Sequence, residues 1–244
     1  MNSCSRFFGL CFGLALFPSS APGQITRWTP NSGGNGHYYE AVAAPSGIPW
    51  ASAQALAVGK GGYLATITSA AENSFVYGLI SSNLSYWHVT GTESWGPWLG
   101  GLQPIGSAEP TGGWTWVTGE AFSYQNWAGL QPNNNANENR LQFHGHNAPG
   151  GAPTWNDLNA SNIQYVRGYL IEYTALPTLA ITLRGGQVEV TWTTNSIGFT
   201  LQCATNLVSP MDWSTVSPGP FVVNGQNVIT NLISGTMRFY RLSQ

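Results

Sequence analysis

This 244-residue sequence has very few charged side chains. Asp, Glu, Lys and Arg make up 7% of it, and its net charge is −2, whereas soluble domains average roughly 25% charged residues. Proteins that bind nucleic acid need a basic surface, so this balance argues against that class of partner. The surface must be solvated by amides and hydroxyls instead, which suits an extracellular protein with neutral, polar ligands.

Cysteine is also scarce, with three in the chain. Two of them lie in residues 1–23, which have the features of a secretory signal peptide: Arg6, an apolar stretch over 7–17, and a small-residue cleavage site at Ala21-Pro22-Gly23. Cleavage would leave Cys203 alone, so we expect a secreted protein without disulfides. No apolar run of about 18 residues follows, so we expect no membrane span in the mature chain.

The next part of the chain has the pattern of a mixed α+β domain. An Ala-rich segment with apolar 3–4 spacing predicts a helix over Trp50–Val58. Ser69, followed three residues later by Glu72, predicts a capping box that begins a second helix, ending near Ile80. Alternating or glycine-bounded segments predict short strands at 37–42, 63–67, 98–102, 114–117, 141–143 and 168–173.

The pattern of predicted secondary structure changes at Leu176-Pro177, after which no helix is predicted. Short strands separated by turn residues are predicted at 179–183, 187–192, 199–203, 221–223, 228–232 and 238–242. We therefore predict a mixed domain over residues 24–175 and a small all-β, sandwich-like module over residues 176–244. This module loosely resembles β-sandwich-like tails of secreted bacterial proteins, and its possible roles are spacing, surface attachment and docking of a protein partner.

Oxygen-bearing side chains are concentrated in the stretch from Gln131 to Asp157. Asp157 is one of only two aspartates in the chain. Five side-chain oxygen donors lie on its two short polar segments: Gln131, Asn133, Glu138, Asn156 and Asp157. Calcium takes six to eight oxygen ligands at about 2.3–2.6 Å, from carboxylates, amide carbonyls and backbone carbonyls. The stretch is therefore a candidate calcium site.

The ordered set of motifs over about residues 36–173 resembles a C-type lectin-like domain. The matching segments, in the order of that family, are the two-tyrosine strand, the helix from Trp50, the Glu72-bearing helix, Trp98-Leu99-Gly100-Gly101, Trp114-Thr115-Trp116, Trp127, Gln131-Pro132-Asn133, Glu138, Trp155-Asn156-Asp157 and the strand 169–173. The resemblance implies a fold of two helices and two small antiparallel sheets that carries a long loop.

In sugar-binding members of that family, the long loop holds a calcium ion whose shell is completed by two sugar hydroxyls. Carried over by position, the metal ligands are Gln131, Asn133, Glu138, Asn156 and Asp157, and the first four of these also contact the sugar. The resemblance implies a cis bond before Pro132 and a glycan or glycoprotein ligand. Only Glu138 and Asp157 carry charge in this set, so we expect one weak calcium site.

This chain departs from the family pattern at several positions. Arg140 and Ala160 occupy one cysteine pair, and Ile171 stands where the last strand has a cysteine. Apolar packing must replace those bridges, so we expect a tryptophan-rich core. Asn134 and Asn139 stand where other members have acidic ligands of an auxiliary calcium, so one ion is expected. The Gln-Pro-Asn triplet mixes two sugar-binding forms, and the choice of sugar stays open.

Other interpretations of the same residues stay open. The fold also supports calcium-independent adhesion or protein interaction. Catalysis is not expected, because Glu120 with Glu138 is the only carboxylate pair available for glycoside hydrolysis and nothing supports it. His144-Gly145-His146 lacks a third metal ligand, and Cys203 fits a small buried residue. Most tryptophans, including Trp155, are expected in the core. Burial is also expected for Trp87 and Trp95, with an exposed stacking surface as the alternative for either ring.

Overall fold

The computed structural model describes residues 23–146, 152–194, 198–208, 212–232 and 237–243. The predicted signal peptide lies outside these ranges, apart from Gly23. Two helices are present, α1 (Trp50–Gly59) and α2 (Ala70–Gly78). The strands are β1 (Thr26–Arg27), β2 (Tyr38–Ala43), β3 (Tyr63–Leu64), β4 (His88–Thr90), β5 (Glu93–Leu102), β6 (Thr115–Trp116), β7 (Arg140–His146), β8 (Thr154–Leu158), β9 (Gly168–Tyr173), β10 (Ala180–Arg184), β11 (Gln187–Thr193), β12 (Thr200–Ala204), β13 (Ser214–Thr215), β14 (Phe221–Val223), β15 (Gln226–Leu232) and β16 (Phe239–Ser243).

The first nine strands form one sheet around the two helices. Its order is β1-β2-β9-β5-β7-β8, and β3, β4 and β6 pair at its sides. Most pairings are antiparallel, but β5 and β9 pair in parallel at Trp98 and Tyr169. This single contact joins the two small antiparallel sheets that the resemblance implies. The sheet ends with the hairpin of β7 and β8, which lies beside the long loop.

Both predicted helices are present, with small differences at their ends. Helix α1 includes Gly59, one residue beyond the prediction, and α2 ends at Gly78, two residues before Ile80. The Ser69 hydroxyl accepts the Glu72 N–H at 3.2 Å, which confirms Ser69 as the N-cap. The Glu72 carboxylate, however, accepts the N–H and hydroxyl of Thr68, so the reciprocal half of the capping box is replaced.

A buried polar cluster joins the N-terminal segment, α2 and β9. The Tyr39 hydroxyl lies 2.6 Å from the Glu72 carboxylate and 3.1 Å from that of Glu172. Glu172 also contacts His37 Nδ1 at 2.6 Å and accepts the Thr66 N–H at 2.9 Å. Burial raises the pKa of Glu172, while the His37 and Thr66 contacts oppose that rise. The cluster thus connects three separate parts of the chain without a covalent bond.

Tryptophan fills the core beneath the long loop, as expected. The Trp155 ring is fully buried, lies within 6.0 Å of the Trp116 and Trp127 rings, and donates its Nε1–H to Asn73 at 2.9 Å. The other tryptophans singled out from the sequence are buried (Trp87, Trp98, Trp114, Trp116) or half-buried (Trp95, Trp127). These contacts fix the Trp155 side chain, and they thereby help to position Asn156 and Asp157, which follow it in β8.

Non-covalent packing occupies the positions of the family cysteines. The Arg140 guanidinium lies 4.7 Å from the centre of the Trp50 ring, and the Trp50 N–H donates to the Ala160 carbonyl at 2.9 Å. Ile171 is fully buried in the second part of the core. Within the described ranges Cys203 is the one cysteine, and it is free. Cation–π contact and apolar packing therefore stand in for the missing bridges.

Residues 180–243 form two further sheets around a core of their own. One has the order β10-β11-β15-β14 and the other β13-β12-β16. The core between them consists of Val190, Trp192, Leu201, Val216 and Ile229, and the half-buried Cys203 packs against it. The two-residue strand β13 was not predicted, because so short a segment carries no alternation. No helix within the described ranges is long and apolar enough to span a membrane.

Candidate functional site: an acidic loop above β8

The long loop runs from Ala128 to Asn139 and is fixed to β8 where it begins. The Ala128 N–H donates to the Trp155 carbonyl, and the Trp155 N–H donates to the Asn126 carbonyl, both at 2.8 Å. At its end the loop enters β7, whose residues Leu141 and Gln142 pair with Asp157 and Asn156. The loop therefore begins and ends beside the same strand, so the Gln131 and Asp157 segments become neighbours in space.

The loop is shaped by its own amides and by Asp157. The Gln131–Pro132 bond is cis, as the resemblance implied. The Asp157 carboxylate accepts the N–H of Asn133 at 3.1 Å and that of Asn134 at 2.7 Å. The Asn134 side-chain oxygen accepts the Glu138 N–H at 2.9 Å, which closes the turn. Positive φ angles at Asn134, at Asn137 and at two other loop residues accompany these tight turns.

A carboxyl group of the loop, Glu138, interacts with one of β8, Asp157, and neither has a basic partner among the described residues. Burial raises the pKa of Glu138 to about 7, and the charge of Asp157 adds to the rise. Burial also raises the pKa of Asp157, while the N–H groups of Asn134 and Asn133 oppose that rise. In the part of the chain that the structure describes, neither carboxyl group forms an ion pair. The site therefore carries negative charge without a counter-ion.

The five predicted ligands differ in how far the structure brings them together. Glu138 and Asp157 interact, and Asn133 meets Asp157 through its backbone N–H. The Gln131 side-chain oxygen is buried without a hydrogen-bond partner. The Asn156 amide donates to the Asp157 carbonyl, and neither Gln131 nor Asn156 bonds to the Asp157 carboxylate. Two acids and one backbone contact thus form the centre, with the two amides at its edge.

The donor set fits a hard cation such as calcium. A carboxylate has about four lone-pair positions, and three N–H contacts to Asp157 leave part of that capacity. The unpartnered Gln131 oxygen and the uncompensated pair Glu138–Asp157 are features that a cation would satisfy. In the part of the chain that the structure describes, no three His, Cys, Asp or Glu residues are grouped so that they could hold a metal ion, so any ion here depends on amide oxygens.

Two other residues take part in the site that the sequence analysis did not single out. Asn159 donates its side-chain N–H to the carbonyls of Ala136 and Asn137 at 3.3 and 3.2 Å, which ties the loop tip to the end of β8. Gln142 is fully buried, pairs with Asn156, and has no hydrogen-bond partner for either side-chain polar atom. A signal for Gln142 exists in the sequence, since an amide stands between Leu141 and Phe143 in an apolar strand.

The histidine pair of the sequence analysis is placed away from the loop. His144 is buried on β7, pairs with Trp95 of β5, and contacts Glu93 at 2.9 Å through its Nε2. The side chain of His146 lies outside what the structure describes. His144 therefore contacts a carboxylate at the far end of the hairpin from Asp157, where Thr154 of β8 is its cross-strand neighbour.

Comparison with known proteins agrees with this architecture. The profile of the Lectin C-type domain matches residues 46–166. A perlucin-like protein of Mytilus galloprovincialis is 32% identical over 126 residues, which are 50% of this chain and 71% of that protein. The galactose-specific lectin nattectin of Thalassophryne nattereri is 35% identical over 85 residues, which are 35% and 46% of the two chains.

A third relative, ladderlectin of Oncorhynchus mykiss, is 31% identical over 120 residues, which are 46% of this chain and 52% of that protein. Because more than two thirds of the perlucin-like protein is covered at over 30% identity, the chain belongs to the C-type lectin domain family. The matched region includes α1, α2 and the whole long loop. It ends before β10, so the C-terminal strands have no counterpart in the family profile.

Proposed function

We propose that this chain is a secreted, non-catalytic lectin that binds carbohydrate through one weakly held calcium ion in the long loop. Glu138 and Asp157 supply the negative charge, and the oxygens of Gln131, Asn133 and Asn156 complete the protein's donor set. The bound ion supplies coordination of two neighbouring sugar hydroxyls. Secretion is supported by the signal-peptide pattern of residues 1–23.

The observation that carries this proposal is the uncompensated acidic pair. The half-buried Glu138, whose pKa is raised to about 7, and the fully buried Asp157 repel each other when both are ionised, and a cation would offset this repulsion. Calcium binding would remove that cost. With only two formal negative charges, we place the dissociation constant near the weak end of extracellular calcium modules, about 10⁻³ M.

The proposed sugar ligand is supported by the relatives and by the polarity of the surface. One relative is named as a galactose-specific lectin, and the chain shares 35% identity with it over 85 residues. Calcium and the amide groups of Gln131, Asn133 and Asn156 together offer both acceptors and donors to a diol. Because amides occupy both outer positions of the Gln131–Asn133 triplet, no single diol stereochemistry is favoured.

A specific observation favours a second candidate, a calcium-independent interaction module. Both Asp157 oxygens accept backbone N–H groups, so hydrogen bonds within the protein help to set the shape of the loop. In that case the loop would contact a partner protein or glycan through its exposed amides. The two candidates differ in a single measurable property, which is the response to calcium.

Calorimetric titration and thermal denaturation with calcium test the proposal. At 10 mM calcium, a site with a dissociation constant of about 1 mM stabilises the fold by about 1.4 kcal/mol. Glu138→Gln should abolish the heat and the stabilisation, because it removes one of two charges while leaving the Asp157 contacts in place. Glu109→Gln is the matched control, since Glu109 is exposed on another loop and makes no contact with the site.

A wild-type protein without heat or stabilisation at 10 mM calcium would rule out the metal site and leave the second candidate. If calcium binds, a glycan array with and without a chelator tests the sugar. Glycan binding that disappears on chelation and in Glu138→Gln supports calcium-dependent carbohydrate binding. Protein that binds calcium but no glycan on the array contradicts this function.

A further inference from the structure

The outer face of the sheet β13-β12-β16 presents one arginine in a fixed orientation. Arg241 lies on β16 opposite Gln202 of β12, and its Nε–H donates to the Gln202 side-chain oxygen at 2.9 Å. Its guanidinium carbon lies 4.3 Å from the centre of the Trp213 ring. Stacking and a hydrogen bond on separate sides restrict the side chain, so little conformational entropy remains to be lost on binding.

Among the described residues, the terminal nitrogens of the Arg241 guanidinium have no hydrogen-bond partner. Arg241 is exposed, and in the described residues it forms neither an ion pair nor a hydrogen bond besides the one to Gln202. Arg184, in the neighbouring sheet, lies 3.3 Å from Glu189, so it already has an acidic partner. The two terminal nitrogens of a guanidinium match the two oxygens of a carboxylate, and such pairs are among the strongest hydrogen-bonded contacts.

On one side, towards Thr200, the cross-strand neighbours of Arg241 are polar and uncharged, while Phe239 and Ala204 lie on the same face on its other side. Cross-strand partners share one face of a sheet, so the pairings place Thr215 beside Gln202, and Thr200 beside Ser243, on the same face as Arg241. Hydroxyls and an amide around a single fixed cation suit a sugar ring that carries one carboxylate. An acidic peptide would be expected to need further basic residues, and this face provides one fixed cation.

We propose that the Arg241 face, formed by Thr200, Gln202, Trp213, Thr215 and Arg241, binds the carboxylate of uronic-acid units in acidic polysaccharides. This site lies on the C-terminal strands, outside the region that matches the lectin family. This site needs no calcium, so a test of it is independent of whether the long loop binds calcium.

Binding of the full chain to polygalacturonate, measured by biolayer interferometry in buffer freed of calcium by a chelating resin, tests this site. Arg241→Lys keeps the charge but removes the planar pair of donors, and it should weaken binding about tenfold. Gln202→Glu keeps Arg241 but places a competing carboxylate beside it, so it should weaken binding further than Arg241→Lys does. Arg238→Lys is the matched control and should bind like the wild type, since Arg238 is exposed and precedes the same strand.

Fully methyl-esterified polygalacturonate and poly-glutamate separate the possible ligands, and thermal midpoints show that each variant is folded. Loss of binding to the ester supports recognition of the carboxylate. Equal binding of poly-glutamate would overturn the assignment to a glycan. The site itself would be overturned if the wild type fails to bind, if the ester binds equally well, or if folded Arg241→Lys and Gln202→Glu bind as the wild type does.

Discussion

At the level of single residues, Glu138 of the long loop and Asp157 of β8 have different roles. Asp157 is fully buried and holds the backbone N–H groups of Asn133 and Asn134, so it shapes the loop. Glu138 organises little else, and burial raises its pKa to about 7. We therefore expect Asp157 to matter for both the loop and the ion, and Glu138 chiefly for the ion.

The affinity for calcium should depend on pH through Glu138. A cation binds the ionised carboxyl group, and with a pKa of about 7 that form falls from most of the protein at pH 8 to a small fraction at pH 6. We expect the calcium dissociation constant to rise about tenfold between these values. Without calcium, the raised pKa also means that ionised Glu138 destabilises the fold. This loss of stability grows as pH rises from the pKa of Glu138 in the unfolded chain to its pKa of about 7 in the folded protein.

Calorimetric titration at several pH values measures this dependence. Glu138→Gln has no group that titrates there, so any residual calcium binding should vary far less with pH. A wild-type constant that stays flat between pH 6 and 8 would contradict the assignment of Glu138 as a ligand.

Sequence alone could identify the oxygen-bearing side chains of the site, but not how they are used. Residue types and family spacing pointed to Glu138 and Asp157, which do interact. The N–H groups that Asp157 holds come from the backbone, and every residue but proline carries one, so no side-chain pattern reveals them. The role of Asn159 depends on the loop tip folding over β8, and a spacing of over twenty residues gives no local signal.

At the level of secondary-structure elements, the cluster around Tyr39 does work that disulfides do in many secreted domains. It ties β2 to α2 through Glu72 and to β9 through Glu172. Burial raises the pKa of the Tyr39 hydroxyl, with the charge of Glu172 adding to the rise, so it remains a donor throughout the ordinary pH range.

Tyr39→Phe should therefore lower the free energy of unfolding by about 2 kcal/mol, because two buried carboxyl groups lose a shared donor. Urea denaturation measures the loss. Tyr38→Phe is the matched control on the same strand. The Tyr38 hydroxyl makes no hydrogen bond to any described residue and its ring contact with Arg27 survives, so the change should stay below about 0.5 kcal/mol. Equal effects of the two substitutions would show that the cluster adds no stability.

Elements with strong local signals could be predicted, and those defined by tertiary contact could not. The helix from Trp50 and the Ser69 cap are present as expected. Strand β5 begins at Glu93, five residues before the predicted start, because pairing with β4 and β7 extends it through a glycine and a proline. A capping box would have the Glu72 carboxylate accept the Ser69 N–H, but it accepts the Thr68 N–H instead. This difference depends on the path of the loop before α2, which the local sequence does not reveal.

At the level of the whole molecule, the chain has two cores that share no buried residue. The C-terminal core around Trp192 is separate from the two clusters of the lectin domain. Where the two parts meet, a cleft of about 290 Å³ lies between Lys60, Tyr173, Thr193 and Phe199. This cleft lies beside the module boundary that we predict near residue 175.

We expect differential scanning calorimetry of the full chain to show two transitions. The fragment 24–175 should fold alone, with a midpoint within about 3 °C of the corresponding transition, because it keeps its own core intact. A fragment that remains unfolded, or a single cooperative transition in the full chain, would contradict the boundary.

The hydrogen bonds from the loop backbone to Asp157 have a consequence for the release of a bound ligand. Under the proposed function, the hydrogen bonds from the Asn133 and Asn134 N–H groups to Asp157 involve the protein alone, so we expect a fall in ambient calcium to release the bound glycan while these contacts remain. Detachment and reattachment would then form a reversible cycle set by the surrounding fluid, with no repeated cost of rebuilding the binding surface.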